Sequence, residues 1–182
     1  MKKVVLFLAD GFEEIEALTP VDVLRRADVD VITVSITNQL EVTGSHAITV
    51  VADKLFKEVD FSIFDALILP GGMPGTNHLN AHQQLKEVIL NYAAEGKLIG
   101  AICAAPIILG ELELLKGKQA ISYPGFEKRL KGAIISNKRS VLDENILTAN
   151  GVGSAMLFAL NLVRELVDED TAKELAEKMM LS

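Results

Sequence analysis

The chain has 182 residues, of which 49% are hydrophobic and 24% charged, and its net charge is -7. That length holds one domain with a sizeable core, the acidic balance without a Lys/Arg run argues against a nucleic-acid partner, and no apolar run approaches the ~18 residues of a membrane span. The lone cysteine cannot pair within the chain, so the fold needs no oxidising compartment and the cytoplasm is the expected location.

Met1 to Ala9 has the basic-apolar start of a signal peptide, but Asp10, Glu13, Glu14 and Glu16 follow at once. Val4 to Ala9 reads instead as a buried parallel strand, apolar on both faces. Glu13 to Ala27 has helical spacing, with Glu16, Pro20, Val23, Leu24 and Ala27 on one side. Pro20 is expected to kink this helix or break its first turns. Asp30 to Ile36 is a strand. Ala47 to Val51 belongs to a small antiparallel excursion or edge pairing. Asp65 to Pro70 is a third buried strand, running into the turn-rich Gly71-Gly72-Met73-Pro74-Gly75. Ala81 to Ala94 reads as one helix, ended by Gly96.

Lys97 to Ile102 is an apolar run ending at Cys103, and Pro106 opens a helix. Gln119 to Tyr123 is a short strand. Ser140 to Thr148 is a hairpin turning at Asp143-Glu144-Asn145. Ser154 is placed to cap a helix through about Leu166, and Asp168-Glu169-Asp170 opens the last one. Strands alternating with helices, with no linker and no repeat, make one α/β domain over residues 1–182: a mostly parallel sheet with helices on both faces. In such sheets ligands bind at the C-terminal strand ends, at the switch point. Asp10-Gly11, Gly71-Gly72 and Cys103 all fall at such ends.

Cys103 sits on a strand-to-helix turn between small residues, the arrangement that projects a nucleophile into a cleft. A helix N-terminus behind it would favour thiolate. Against this stands the tendency of a free cysteine to serve as a small buried hydrophobe. Glu16, a carboxylate on an apolar stripe, faces the core or a cleft, where burial raises its pKa. Held protonated, it could donate a hydrogen bond to a Cys103 thiolate; otherwise it is a helix-end acid beside Glu13 and Glu14. The backbone N–H groups of Gly72 and Ala104 are natural oxyanion donors. A base is harder to find. His78 and His82, four apart, would share a helix face, but no third ligand is evident, so neither a metal site nor a cofactor is expected. His46 could reach the cleft. Gly151-Val152-Gly153 fails the dinucleotide pattern, with Met156 at the third glycine position.

Taken together, Asp10-Gly11-Phe12-Glu13-Glu14-Ile15-Glu16 with Pro20 to Arg26, Leu69-Pro70-Gly71-Gly72, and Ala101-Ile102-Cys103-Ala104-Ala105-Pro106 resemble the ThiJ/PfpI family, the family of the parkinsonism-associated deglycase. The resemblance covers essentially the whole chain. It implies a flavodoxin-like three-layer α/β sandwich of the class I glutamine-amidotransferase-like type, and a homodimer. It implies Cys103 as the elbow nucleophile, Glu16 as its protonated partner, and Gly72 and Ala104 as donors. It also implies cofactor-free chemistry on small reactive aldehydes or glycated adducts. The family's other roles are redox sensing or chaperone action through the cysteine, intracellular proteolysis, and a thiazole-biosynthesis label. Four positions depart from the family pattern. Ala104 stands where the protease-like branch has His. Tyr123 precedes Pro124 where nearer relatives often have His. Asn150 and His46 stand where some carry Arg. Tyr123, Asn150 and His46 are thus auxiliary candidates in a less basic cleft.

Overall fold

Val4, Leu6 and Leu8 point to one face of the sheet and Val5, Phe7 and Ala9 to the other, and all six are buried. This two-sided burial explains why the first strand carries no polar alternation. The computed structural model describes residues 1–181. The chain runs β1 (Lys3–Leu8), α1 (Glu14–Arg26), β2 (Asp30–Ser35), β3 (Glu41–Thr43), β4 (Thr49–Val51), β5 (Lys54–Leu55) and β6 (Ala66–Leu69). It continues with α2 (Gly75–Ala81), α3 (Gln83–Ala94), β7 (Leu98–Ile102), α4 (Pro106–Glu111), β8 (Gln119–Ala120) and β9 (Ile134–Ile135). β10 (Ser140–Asp143), β11 (Ile146–Ala149), α5 (Ala155–Leu166) and α6 (Glu169–Lys178) complete it.

Seven strands form one sheet in the order β10-β11-β7-β6-β1-β2-β5. Every neighbour is parallel except β10, which returns antiparallel on β11. Helices α1, α5 and α6 cover one face, and α2, α3 and α4 the other. This is the flavodoxin-like sandwich. From β1 the chain steps to β2 on one side and later to β6 on the other, so the switch point lies between β1 and β6. Gly100 in β7 belongs to the close packing: a Cβ there would lie 2.9 Å from the Phe158 ring.

The structure departs from the sequence reading at several elements. Helix α1 runs unbroken through Pro20, whose ring lies buried on the apolar face. The expected Ala81–Ala94 helix begins only at Gln83. His82 is extended, and its Nδ1 accepts the Leu85 N–H at 3.1 Å, capping α3. His78 lies on α2, where its Nδ1 meets the Asp10 carbonyl oxygen at 2.9 Å, so the two histidines share no helix face. Strand β8 stops at Ala120 and pairs with β9 in a separate small sheet. Ser154 does begin α5 but makes no side-chain cap; its hydroxyl donates to Asn150 Oδ1 at 2.6 Å. No helix among the described residues is long and apolar enough to cross a membrane.

Candidate active site

The C-terminal ends of β1, β6 and β7 bring Gly11, Gly71-Gly72 and Cys103 to one edge of the sheet. Cys103 has φ +65°, a left-handed backbone rare for a residue with a side chain. Two backbone bonds impose it. The Cys103 N–H donates to the Ala149 carbonyl at 2.8 Å, and its carbonyl accepts the Tyr123 N–H at 2.7 Å. The strain holds the thiol at the tip of a strand-to-helix turn, half-buried.

Glu16 reaches this turn from α1 and is completely buried. Its Oε2 accepts the Gly71 N–H at 3.0 Å. Its Oε1 is buried with no hydrogen-bond partner among the described residues. Gly71 explains why a glycine precedes the cleft. A Cβ there would lie 2.6 Å from both Cys103 Cβ and Glu16 Oε2. Gly72, at φ +90°, would place one 2.3 Å from the Glu13 nitrogen.

Burial pushes Glu16 up to about 7, opposed by the neighbouring Cys103 thiol, assisted by the charge of Glu13 and opposed by the Gly71 N–H. Burial, then the charge and closeness of the Glu16 carboxyl, push the Cys103 thiol up to about 12. The N–H groups of Gly72 and Ala104 act on the sulfur in the opposite sense. The sequence leads one to expect a lowered thiol pKa from the helix behind it. That helix, α4, has six residues, and burial with the Glu16 charge outweighs it. When Glu16 holds the proton its charge no longer opposes the thiolate and its O–H can donate to the sulfur, so only burial still raises the thiol.

The auxiliary residues are placed differently from one another. The Tyr123 ring flanks Gly151, 3.3 Å from where a Cβ on that glycine would stand, and the same position is 3.9 Å from Glu16 Oε1. Asn150 faces its own loop: its side chain takes the Ser154 hydroxyl and its N–H donates to Arg139. His46 is exposed and held by Glu14 and Glu13, at 3.0 and 3.4 Å. The bond to Glu14 and the two charges raise its pKa. Sequence reasoning missed two residues here. Arg139 bonds Ser154 Oγ and the Gly153 carbonyl, bringing a guanidinium to the Gly151 loop. Glu14 is buried, and its carboxylate collects the N–H groups of His46 and Ile48. Burial alone would raise its pKa, but the His46 side chain and these backbone donors take it down to about 2.

The DJ-1/PfpI family model matches residues 2–165. Protein DJ-1 homolog B of Arabidopsis thaliana is 37% identical over 182 residues, covering 99% of this chain and 42% of its own. Protein dj-1beta of Drosophila melanogaster is 31% identical over 183 residues, covering 100% of this chain and 98% of its own. The solved structure of oxidized Toxoplasma gondii DJ-1 superposes with a TM-score of 0.95 at 35% identity, over 99% of this chain and 98% of that one. The chain spans less than half the length of the two Arabidopsis relatives it matches, 42% and 47%.

Proposed function

The chain belongs to the DJ-1/PfpI family, and from that premise we propose that it is a cysteine-dependent enzyme acting on small reactive aldehydes or the adducts they leave on proteins. The observation that carries this reading is the strained Cys103 beside the wholly buried Glu16, packed so closely that a Cβ on Gly71 would lie 2.6 Å from both side chains. The reactive form has the proton on Glu16 and the charge on sulfur. Methylglyoxal serves as the worked substrate.

The Cys103 thiolate adds to the aldehyde carbon. A C–S bond forms, and the carbonyl electron pair moves onto oxygen. That oxyanion lies toward the Gly72 and Ala104 N–H groups and takes the Glu16 proton, giving a hemithioacetal. Glu16, now a carboxylate, removes the hydrogen on the sulfur-bearing carbon to give an enediol, the proton returns to the neighbouring carbon, and the hydroxyl proton passes to the neighbouring oxygen. The result is a thioester, which water cleaves to lactate and the free thiol. The sum is methylglyoxal plus water to lactate, with no external oxidant. An early glycation adduct would enter the same course once the carbinol C–S or C–N bond breaks, the protein thiol or amine takes up the hydroxyl proton, and the freed aldehyde meets the Cys103 thiolate. Lactate formation should disappear in Cys103→Ser and fall at least a hundredfold in Glu16→Gln. Turnover that survives both changes overturns the assignment.

A second reading is oxidation sensing. The half-buried sulfur has no other cysteine in the chain to trap a sulfenic acid, so oxidation by peroxide would run on to sulfinate. The similar Toxoplasma protein is described as oxidized. Intact mass after modest peroxide should show two added oxygen atoms; an unmodified chain refutes it. A peptidase reading is weaker, because His46 is occupied by Glu13 and Glu14, His78 by the Asp10 carbonyl and His82 by the Leu85 N–H. We place the protein in the cytoplasm and propose a homodimer through the exposed Ile15 and Leu18 of α1 with Ile48 and Val51 at β4. Sedimentation showing a monomer at micromolar concentration would refute the dimer.

A further inference from the structure

Beside the cysteine site, the start of α1 meets the turn between β3 and β4. Among the described residues, Glu13, Glu14 and His46 form the one set of His, Cys, Asp or Glu side chains whose ligand atoms all lie within 4.8 Å of one another. Ser45 joins them. Its Oγ lies 3.2 Å from Glu13 Oε2, 3.3 Å from Glu14 Oε2 and 3.1 Å from His46 Nδ1. His46 Nδ1 lies 3.4 Å from Glu13 Oε2 and 3.0 Å from Glu14 Oε2.

Zinc bonds of about 2.0 Å in a tetrahedron set neighbouring ligand atoms about 3.3 Å apart. The five distances here surround that value. A square-planar cation would need two diagonals of about 4.0 Å, and the measured pairs leave room for one at most. We propose that Glu13 Oε2, Glu14 Oε2, Ser45 Oγ and His46 Nδ1 form a binding site for a divalent cation, with zinc the best fit.

The surroundings hold this group in place. Glu14 is buried, and its other oxygen, Oε1, accepts the His46 N–H at 2.8 Å and the Ile48 N–H at 3.4 Å, which turns Oε2 toward the cluster. Such outer bonds orient a ligating carboxylate. Gly44 lets the turn press onto Glu14: a Cβ there would lie 2.3 Å from Oε1. The turn is tied back through the Ser45 N–H to the Phe12 carbonyl at 2.8 Å and through the Gly44 N–H to the Ile48 carbonyl at 2.9 Å. The cluster borders a pocket of about 370 Å³ that Ile15, Ile48 and Val152 also line. One imidazole with carboxylate and hydroxyl oxygens, and no sulfur, suits zinc and leaves Cys103 out of the set. On binding, zinc replaces the protons now shared within the cluster, and His46 ligates as the neutral ring.

The test is calorimetric titration of the full chain with zinc alone. Wild type and Cys103→Ser should each take up one zinc per chain. His46→Ala should bind at least tenfold more weakly, and so should Glu13→Gln. The His46 side chain is 68% exposed, so its removal spares the fold, which the circular dichroism spectrum verifies. Zinc uptake that is unchanged in His46→Ala, lost in Cys103→Ser, or absent from the wild type at a hundredfold excess overturns the proposal.

Discussion

Replacing Glu16 by Gln keeps the shape of a wholly buried side chain and removes its charge. A carboxyl whose pKa is higher in the folded chain holds its proton more tightly when folded. The stability this lends is fully present below the unfolded value of 4.5 and is lost as the pH rises through about 7. Each pKa unit corresponds to about 1.4 kcal/mol, so the rise from 4.5 to about 7 makes the wild type lose about 3 kcal/mol across that window. Glu16→Gln has no such group. Its amide oxygen still accepts the Gly71 N–H, so its stability follows only the background of the other titrating groups. Urea unfolding of both proteins from about pH 5 to about pH 8 reads the difference. The variant should gain about 3 kcal/mol on the wild type across that span. A difference that stays constant with pH would mean that burial does not hold the Glu16 proton, and the reasoning would fail.

Three more consequences are open to measurement. Glu14 behaves oppositely: with its pKa near 2 instead of 4.5, its stabilisation is present above 4.5 and lost as the pH falls toward 2. Acid unfolding of the wild type should therefore lose about 2 kcal/mol that Glu14→Gln does not, after allowance for screening at the exposed His46. Gly71→Ala drives a methyl against Cys103 and Glu16 at 2.6 Å; a loss of about 1–3 kcal/mol by urea titration is expected, with slower alkylation of Cys103. His82→Ala removes the acceptor for the Leu85 N–H, which should cost about 1 kcal/mol, as for other caps; an unchanged midpoint would show that the break between α2 and α3 needs no cap.

Glu16 was readable because the 16-20-23-24-27 spacing put a carboxylate on an apolar stripe, and the whole stripe is buried. The strand-end positions of Gly71 and Cys103 were readable from apolar runs stopping at small residues. Glu14 was not readable. It sits among Glu13 and Glu16, and only the turn at residues 44–48, folding back from β3 and β4, buries it. Gly44-Ser45, a Gly-Ser pair between two β-rich stretches, was the available signal of that close approach. The α2–α3 break escaped because Ala81 to Ala94 keeps helical composition. A side-chain acceptor at His82, not a proline or glycine, starts the second helix. Pro20 misled in the other direction. Helix α1 is packed tightly against the sheet and α5, and that tertiary packing outweighs the proline's local cost.

In the proposed chemistry Cys103 and Glu16 share one proton, and the sulfur carries the charge when it reacts. The most direct test is the pH dependence of Cys103 alkylation in wild type and Glu16→Gln. The wild-type rate should rise with a midpoint near 7, where Glu16 releases its proton, and the midpoint should move upward in the variant. A rate that stays flat through neutral pH, rises only above the unperturbed thiol value of about 8.5, and ignores the Glu16 change would contradict it.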